Sequence, residues 1–253
     1  MVELEAKGLS KAYFLSHEKH CVVALQTIDF SLHVNEFVSI VGPSGCGKST
    51  LLRLFAGFET KSSGAVLHRG LNIEAPHHTR SFIPQDSGLF EWLNIEENVM
   101  LPLHSMLLSK REKEEKVYRC MEKTGILSFA KAYPRELSGG MKQRAALSRA
   151  LAMESQVILM DEPFSALDEV SREGMDEMMG SFFSENRISA LLVTHSIREA
   201  LLLSDRVVVM RGQPGRIFTT LAPTTPKKER SCSLEIETLH QEILGMLKLS
   251  YAL

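Results

Sequence analysis

The chain has 253 residues, 44% hydrophobic and 24% charged, with a formal net charge of −2. That length can bury a full core, and the balanced charge lacks the basic stripe of a nucleic-acid binder, so no nucleic-acid partner is expected. No apolar run approaches the roughly 18 residues of a spanning helix, and no apolar segment follows Met1–Ser10 as a secretory leader requires. Cys21, Cys46, Cys120 and Cys232 form no CxxC pair, which argues against a zinc site or a disulfide framework.

In chain order, strands are predicted at Val2–Ala6, Ile28–Val34 and Phe37–Val41, with a turn at Asn35 and Glu36 between the last two. A helix begins at about Lys48, carries Leu51, Leu52, Leu54 and Phe55 on its apolar positions, and closes at Gly57. Residues 92–135 carry helical patterns, Lys110–Lys123 among them, and no strand signal. Then follow a helix at 139–153, a buried strand Val157–Met160, a helix near 169–185, a strand Ala190–Val193, a helix at 196–203 and a strand Arg206–Met210. Strand and helix alternate, which predicts a largely parallel, doubly wound core with a helical insertion. Pro223, Pro226, Lys227 and Lys228 mark a linker, and an amphipathic helix at about 234–248 ends the chain.

The strongest motif is Gly42, Pro43, Ser44, Gly45, Cys46, Gly47, Lys48, Ser49 and Thr50. It fits GxxxxGK[ST] and lies between a predicted strand and a predicted helix, the context that motif needs. Glycines let successive N–H groups turn toward phosphates, and the helix N-terminus adds its positive dipole end. Lys48 is assigned to the β- and γ-phosphates and the Ser49 hydroxyl to Mg²⁺. Cys46 sits near a helix N-terminus and Lys48, which predicts a lowered thiol pKa and alkylation that nucleotide suppresses.

A buried strand then delivers Asp161 and Glu162 to the carboxyl end of the sheet, where ligands of such folds bind. Asp161 can reach Mg²⁺ and Glu162 can polarise an attacking water. Taken alone, the two acids have a bland reading as a solvated acidic turn; their pairing with the phosphate loop favours the functional one.

Leu137, Ser138, Gly139, Gly140, Met141, Lys142, Gln143 and Arg144 resemble the LSGGQ signature of ABC ATPases. Met141 stands where glutamine is usual, and a thioether is a weak hydrogen-bond partner. Gln85 resembles the Q-loop residue and a Mg²⁺ ligand, Ser165–Asp168 the D-loop, and His195 the switch histidine. Tyr13 resembles the aromatic that stacks on adenine, with Phe14 as the alternate. Trp92 is read either as core or as part of a partner groove. The resemblance covers about residues 2–220 and implies an α/β, P-loop NTPase fold: an ABC-type nucleotide-binding domain (2–220) with a helical subdomain at about 88–138, then a linker and C-terminal helix (221–253). It also implies ATP and Mg²⁺ as ligands. Ser138, Gly139 and Gly140 would face the ATP of a second copy, giving a homodimer.

Asp161–Asp168, Gly88–Val99 and Arg211–Ile217 further resemble the ATP-binding proteins of nitrate, sulfonate and taurine importers, a group that includes uptake of thiamine-pyrimidine precursors. That resemblance implies integral-membrane permease subunits, an extracytoplasmic solute-binding protein reached indirectly, and a peripheral place on the cytoplasmic face of the membrane. Two other classes share the phosphate loop: a soluble ABC ATPase that remodels a protein or cluster, and a small-molecule kinase. The second gives no reason for Ser138, Gly139 and Gly140.

Overall fold

A computed structural model describes residues 1–15, 20–165 and 168–248. Two sheets organise it. The first is antiparallel, in the order β2-β1-β4-β5, from β1 (Val2–Leu15), β2 (His20–His33), β4 (Ser63–His68) and β5 (Leu71–Asn72). The second has the order β10-β9-β3-β8-β7-β6. It contains β3 (Phe37–Val41), β6 (Arg80–Ile83), β7 (Val157–Asp161), β8 (Ser189–Thr194), β9 (Arg206–Arg211) and β10 (Arg216–Leu221). Its strands run parallel except β10, which pairs antiparallel with β9 at the edge.

The parallel strands read as continuous apolar runs because helices or the other sheet cover both faces. Every residue of β3, β7 and β8 is buried. On one face, Leu4, Leu9, Ile28 and Phe30 of the antiparallel sheet enclose Leu51, Leu52 and Phe55 of α1 (Lys48–Ala56) against Leu159 and Leu191. On the other, Ala146, Leu147 and Ala150 of α4 (Gly139–Ala152) and Met175, Met179, Phe182 and Phe183 of α5 (Glu169–Asn186) pack on Ile158, Met160 and Leu192.

α2 (Ile95–Met100) and α3 (Lys110–Lys123) form a third cluster with α4, built on Ile95, Val99, Val117, Met121 and Ala145. Both helices start on a capping box, Asn94 with Glu97 and Ser109 with Glu112, which satisfies first-turn amides that the helix itself leaves bare. α6 (Ile197–Leu203) carries the C-terminal α7 (Leu234–Lys248) through Ile236 and Ile243.

Most predicted elements stand within a residue or two. The antiparallel sheet was not anticipated: β1 and β2 are 14 residues each, and β4, β5, β6 and β10 carried no recognised signal. β5 is short and exposed, β4 buries only Val66, β6 buries the polar Arg80 and Ser81 beside Ile83, and β10 alternates exposed and half-buried positions.

Candidate active site

The residues 42–50 link β3 to α1 at the carboxyl end of the parallel strands. Gly47 is the N-cap at φ 88°, a left-handed conformation natural to glycine. A Cβ there would also lie 2.6 Å from Cδ2 of Leu25. Lys48 is buried, and its Nζ donates to the carbonyls of Gly42 at 2.8 Å and Pro43 at 2.9 Å. The ammonium is thus held inside the concavity that the loop amides form. Ser49 Oγ donates to Asp161 Oδ1 at 2.8 Å, joining the two residues assigned to the metal.

Burial pushes the Asp161 carboxyl above its usual range, while Ser49, Arg53 and Lys48 pull it back and Glu162 adds to the rise. No ion pair reaches Asp161 among the described residues. A desolvated carboxylate beside a hydroxyl is a donor set that suits a hard divalent ion.

Glu162 is held at φ 46°, and its N–H donates to the carbonyl of Val193 at 2.8 Å. Non-glycine residues seldom adopt that conformation, and where neighbouring structure enforces it, it aims a side chain. Glu162 Oε2 lies 3.2 Å from His195 Nδ1 at the end of β8. Gln85 follows β6, and its Nε2 donates to Ser165 Oγ at 3.1 Å, which donates in turn to the carbonyl of Glu162 at 2.9 Å. So Gln85, Ser165, Glu162 and His195 form one connected chain of groups beside Asp161. This arrangement can bind a phosphate chain, hold a divalent ion and orient a water at the terminal phosphate.

Ser138 caps α4, with its Oγ accepting from the Met141 N–H at 3.4 Å. Ser138 and Gly139 are exposed, and no hydrogen bond among the described residues joins 138–140 to the phosphate loop. Met141 packs against the helical cluster. Tyr13 lies on β1, with Lys11 Nζ 4.6 Å from its ring centroid, and Phe14 beside it is 65% exposed. Asp168 is exposed; Ala166 and Leu167 lie outside the described residues. Trp92 is 73% exposed and packs on Phe90, so it is no core residue.

One expectation is corrected. Cys46 is 1% exposed, and burial raises its thiol pKa more than Lys48 lowers it. Its sulfur faces the inside of the loop, under Gly42, where a Cβ would come within 2.9 Å of it. The dipole argument failed because desolvation outweighs it.

A contributor that the sequence did not reveal is the turn between β9 and β10. Gly215 donates to the carbonyl of Ala24 at 2.9 Å and accepts from Gln26 at 3.0 Å. A Cβ on Gly215 would lie 1.9 Å from the Cys46 carbonyl oxygen, and one on Gly42 2.5 Å from that of Met210. The phosphate loop rests directly on backbone from this turn. The run Arg211–Ile217 was recognisable by resemblance, but the contact that explains Gly215 is visible only in three dimensions.

A family model described as ABC transporter matches residues 25–165. The chain belongs to the ABC transporter family. As an ABC ATPase it binds and hydrolyses ATP. It is 36% identical to the aliphatic sulfonates import ATP-binding protein of Bacillus cereus, across 94% of this chain and 92% of that one. It is 38% identical to the taurine import ATP-binding protein of Roseobacter denitrificans, across 98% and 94%. It is also 38% identical to the nitrate import ATP-binding protein of a Synechocystis strain, across 91% and 86%. Among solved structures it resembles a dimeric, post-hydrolysis ATP-binding cassette bound to ADP and Pi, at TM-score 0.76 and 28% identity over 87% of this chain and 98% of that one. A component of an ABC transporter complex from Clostridium perfringens matches at TM-score 0.78 and 26% identity, over 98% of each chain. No helix among the described residues of this ABC ATPase is long and apolar enough to cross a membrane.

Proposed function

We propose that this chain is the ATP-hydrolysing subunit of an importer, working as a homodimer on the cytoplasmic face of a membrane beside integral-membrane permease subunits. An extracytoplasmic binding protein would deliver the solute to the permease: an organic sulfonate, taurine, nitrate or a thiamine-pyrimidine precursor. The ATPase unit is assigned to 2–220, with a helical subdomain at about 88–138, and the accessory C-terminal segment to 221–253. The observation that carries the reading is the connected set Ser49–Asp161 and Gln85–Ser165–Glu162–His195 around the phosphate loop, to which no hydrogen bond among the described residues joins Ser138, Gly139 or Gly140.

The amides of Gly42, Pro43, Ser44, Gly45, Cys46, Gly47 and Thr50 line the phosphate-facing loop, with Pro43 contributing only its fixed backbone. Lys48 pairs with the terminal phosphates. Tyr13 stacks on adenine. Ser49, Asp161 and Gln85 would hold Mg²⁺, which when bound neutralises charge on the β- and γ-oxygens. Glu162 takes the proton of the attacking water, and His195, in contact with Glu162, donates toward the γ-phosphate. Ser138, Gly139, Gly140 and Asp168 act across the dimer on the ATP held by the other copy.

Permease docking is assigned to the cleft of about 570 Å³ between the sheet and the helical subdomain. Phe58, Phe82, Phe90 and Leu101 give it an apolar lining, and Arg80 and Arg149 give it positive charge. Tagged chain drawn from detergent-solubilised membranes of its own organism is expected to bring a multi-spanning protein with it, and Phe58→Glu should abolish that recovery. Recovery of the wild-type chain with soluble protein alone would favour the remodelling ATPase.

A further inference from the structure

A second polar cavity, of about 370 Å³, lies at the opposite end of the parallel sheet from the phosphate loop. Its walls include Phe37, the first residue of β3, and the segment 223–230 that precedes α7. β3 ends at the phosphate loop, so roughly 16 Å of strand separates the two sites. The cavity volume is at the small end of ligand pockets.

Its lining is rich in donors. Arg230 is 4% exposed, and its guanidinium donates to the carbonyls of Thr225 through Nε and of Leu201 and Ser204 through Nη1. Among the described residues no hydrogen bond uses Nη2 and no carboxylate lies within ion-pair distance of the group. Burial pushes this guanidinium below its usual range, with Asp205 and Glu235 opposing the shift. Arg187 also lines the cavity and makes no ion pair among the described residues. The one carboxylate in the wall, Asp205, is already occupied: it accepts from Lys227 at 2.7 Å and from the Phe37 N–H at 2.8 Å. The Lys227 ammonium has two further protons, and no hydrogen bond among the described residues uses the side-chain amide of Asn35. A cavity with two cationic forks, spare amine and amide donors and no free acceptor of like charge suits an anion.

We infer that this cavity is a binding site for a small oxyanion (a sulfate, sulfonate, phosphate or carboxylate group) held by Arg187, Arg230, Lys227 and Asn35. Bound there, the anion bridges the core and the C-terminal segment, because Arg187 lies in the turn between α5 and β8 while Lys227 and Arg230 belong to the segment before α7. Binding therefore tightens that segment on the ATPase core. The site is independent of which solute is transported.

The test is calorimetric titration of the full chain with sulfate, methanesulfonate, phosphate and acetate at constant ionic strength. Saturating MgADP fills the phosphate loop, which would otherwise take the same anions. At least one anion should bind saturably, and its rank among the four identifies the oxyanion class. Arg187→Gln, an exposed change, should weaken that binding about tenfold or more, the scale of one charge-assisted contact. Proteolysis at 222–228 should slow with the same anion and stay fast in the variant. Arg230→Gln should remove binding, with its folding checked by circular dichroism. No saturable binding of any of the four, or binding that Arg187→Gln leaves unchanged, overturns the inference.

Discussion

The phosphate-loop side and the signature side of this chain are built differently. On the first, functional groups are fixed by one another: Ser49 to Asp161, Lys48 to its own loop carbonyls, Glu162 to His195, and Gln85 to Ser165. On the second, Ser138 bonds only within its own helix turn, and Ser138 and Gly139 are exposed. One side is preorganised inside a single subunit. The other offers a helix N-terminus whose only side-chain acceptor among the described residues is its own cap, Ser138. A signature that forms no hydrogen bond with its own phosphate loop among the described residues fits a site that a second copy completes.

The largest effect tests the wired side. Glu162→Gln should keep ATP binding and slow hydrolysis by about 10²–10⁴, the usual scale for a lost general base. Phosphate release by the variant at the parent rate would show that the Glu162–His195 pair is not catalytic.

The next experiment breaks the comparison itself. Lys48→Ala and Ser138→Arg should each be inactive alone, since each variant spoils both sites of its own homodimer. Mixed, they form one site with both lesions and one with neither, so some activity should return. Steady-state turnover of the mixture that stays at the sum of the single variants would mean that Ser138 does not serve another chain's ATP.

Gly215→Ala asks how much the wired side depends on its support. The new methyl would collide with the Cys46 carbonyl, and overpacking of this kind costs about 1–3 kcal/mol. A lower melting temperature with a raised KM for ATP is expected, because the displaced backbone is the phosphate loop itself. An unchanged KM would show that the loop keeps its curvature without the turn.

The smallest effect lies far from both sides, where the C-terminal segment is tied down. Glu235 accepts from the N–H and hydroxyl of both Thr224 and Thr225, and these bonds lower its pKa from 4.5 to about 2. A depressed carboxylate stabilises the fold above its unfolded pKa, and that contribution fades as pH falls from about 4.5 toward 2. Glu235→Gln should therefore melt below the parent at neutral pH, with a gap that closes across that window. A gap independent of pH would mean that the charge is not what matters.

The histidine after β8 was reached only by resemblance, whereas local chemistry along the chain pointed to the phosphate loop, the acids after β7 and the ends of α1 and α3. Each rests on short-range rules: glycine permissiveness, capping, and apolar runs for strands buried on both faces. The ABC signature was legible too, as a pattern. What tertiary structure alone decided was everything set by contacts distant in sequence. The antiparallel sheet was hidden because its short strands β4 and β5 gain their stability from pairing rather than from apolar content. Cys46 was misread because its burial comes from chain segments far from it, and desolvation then overrides the nearby lysine. Gly215 acquires its meaning from a carbonyl 169 positions earlier, Cys46's own, a contact that only the folded backbone creates.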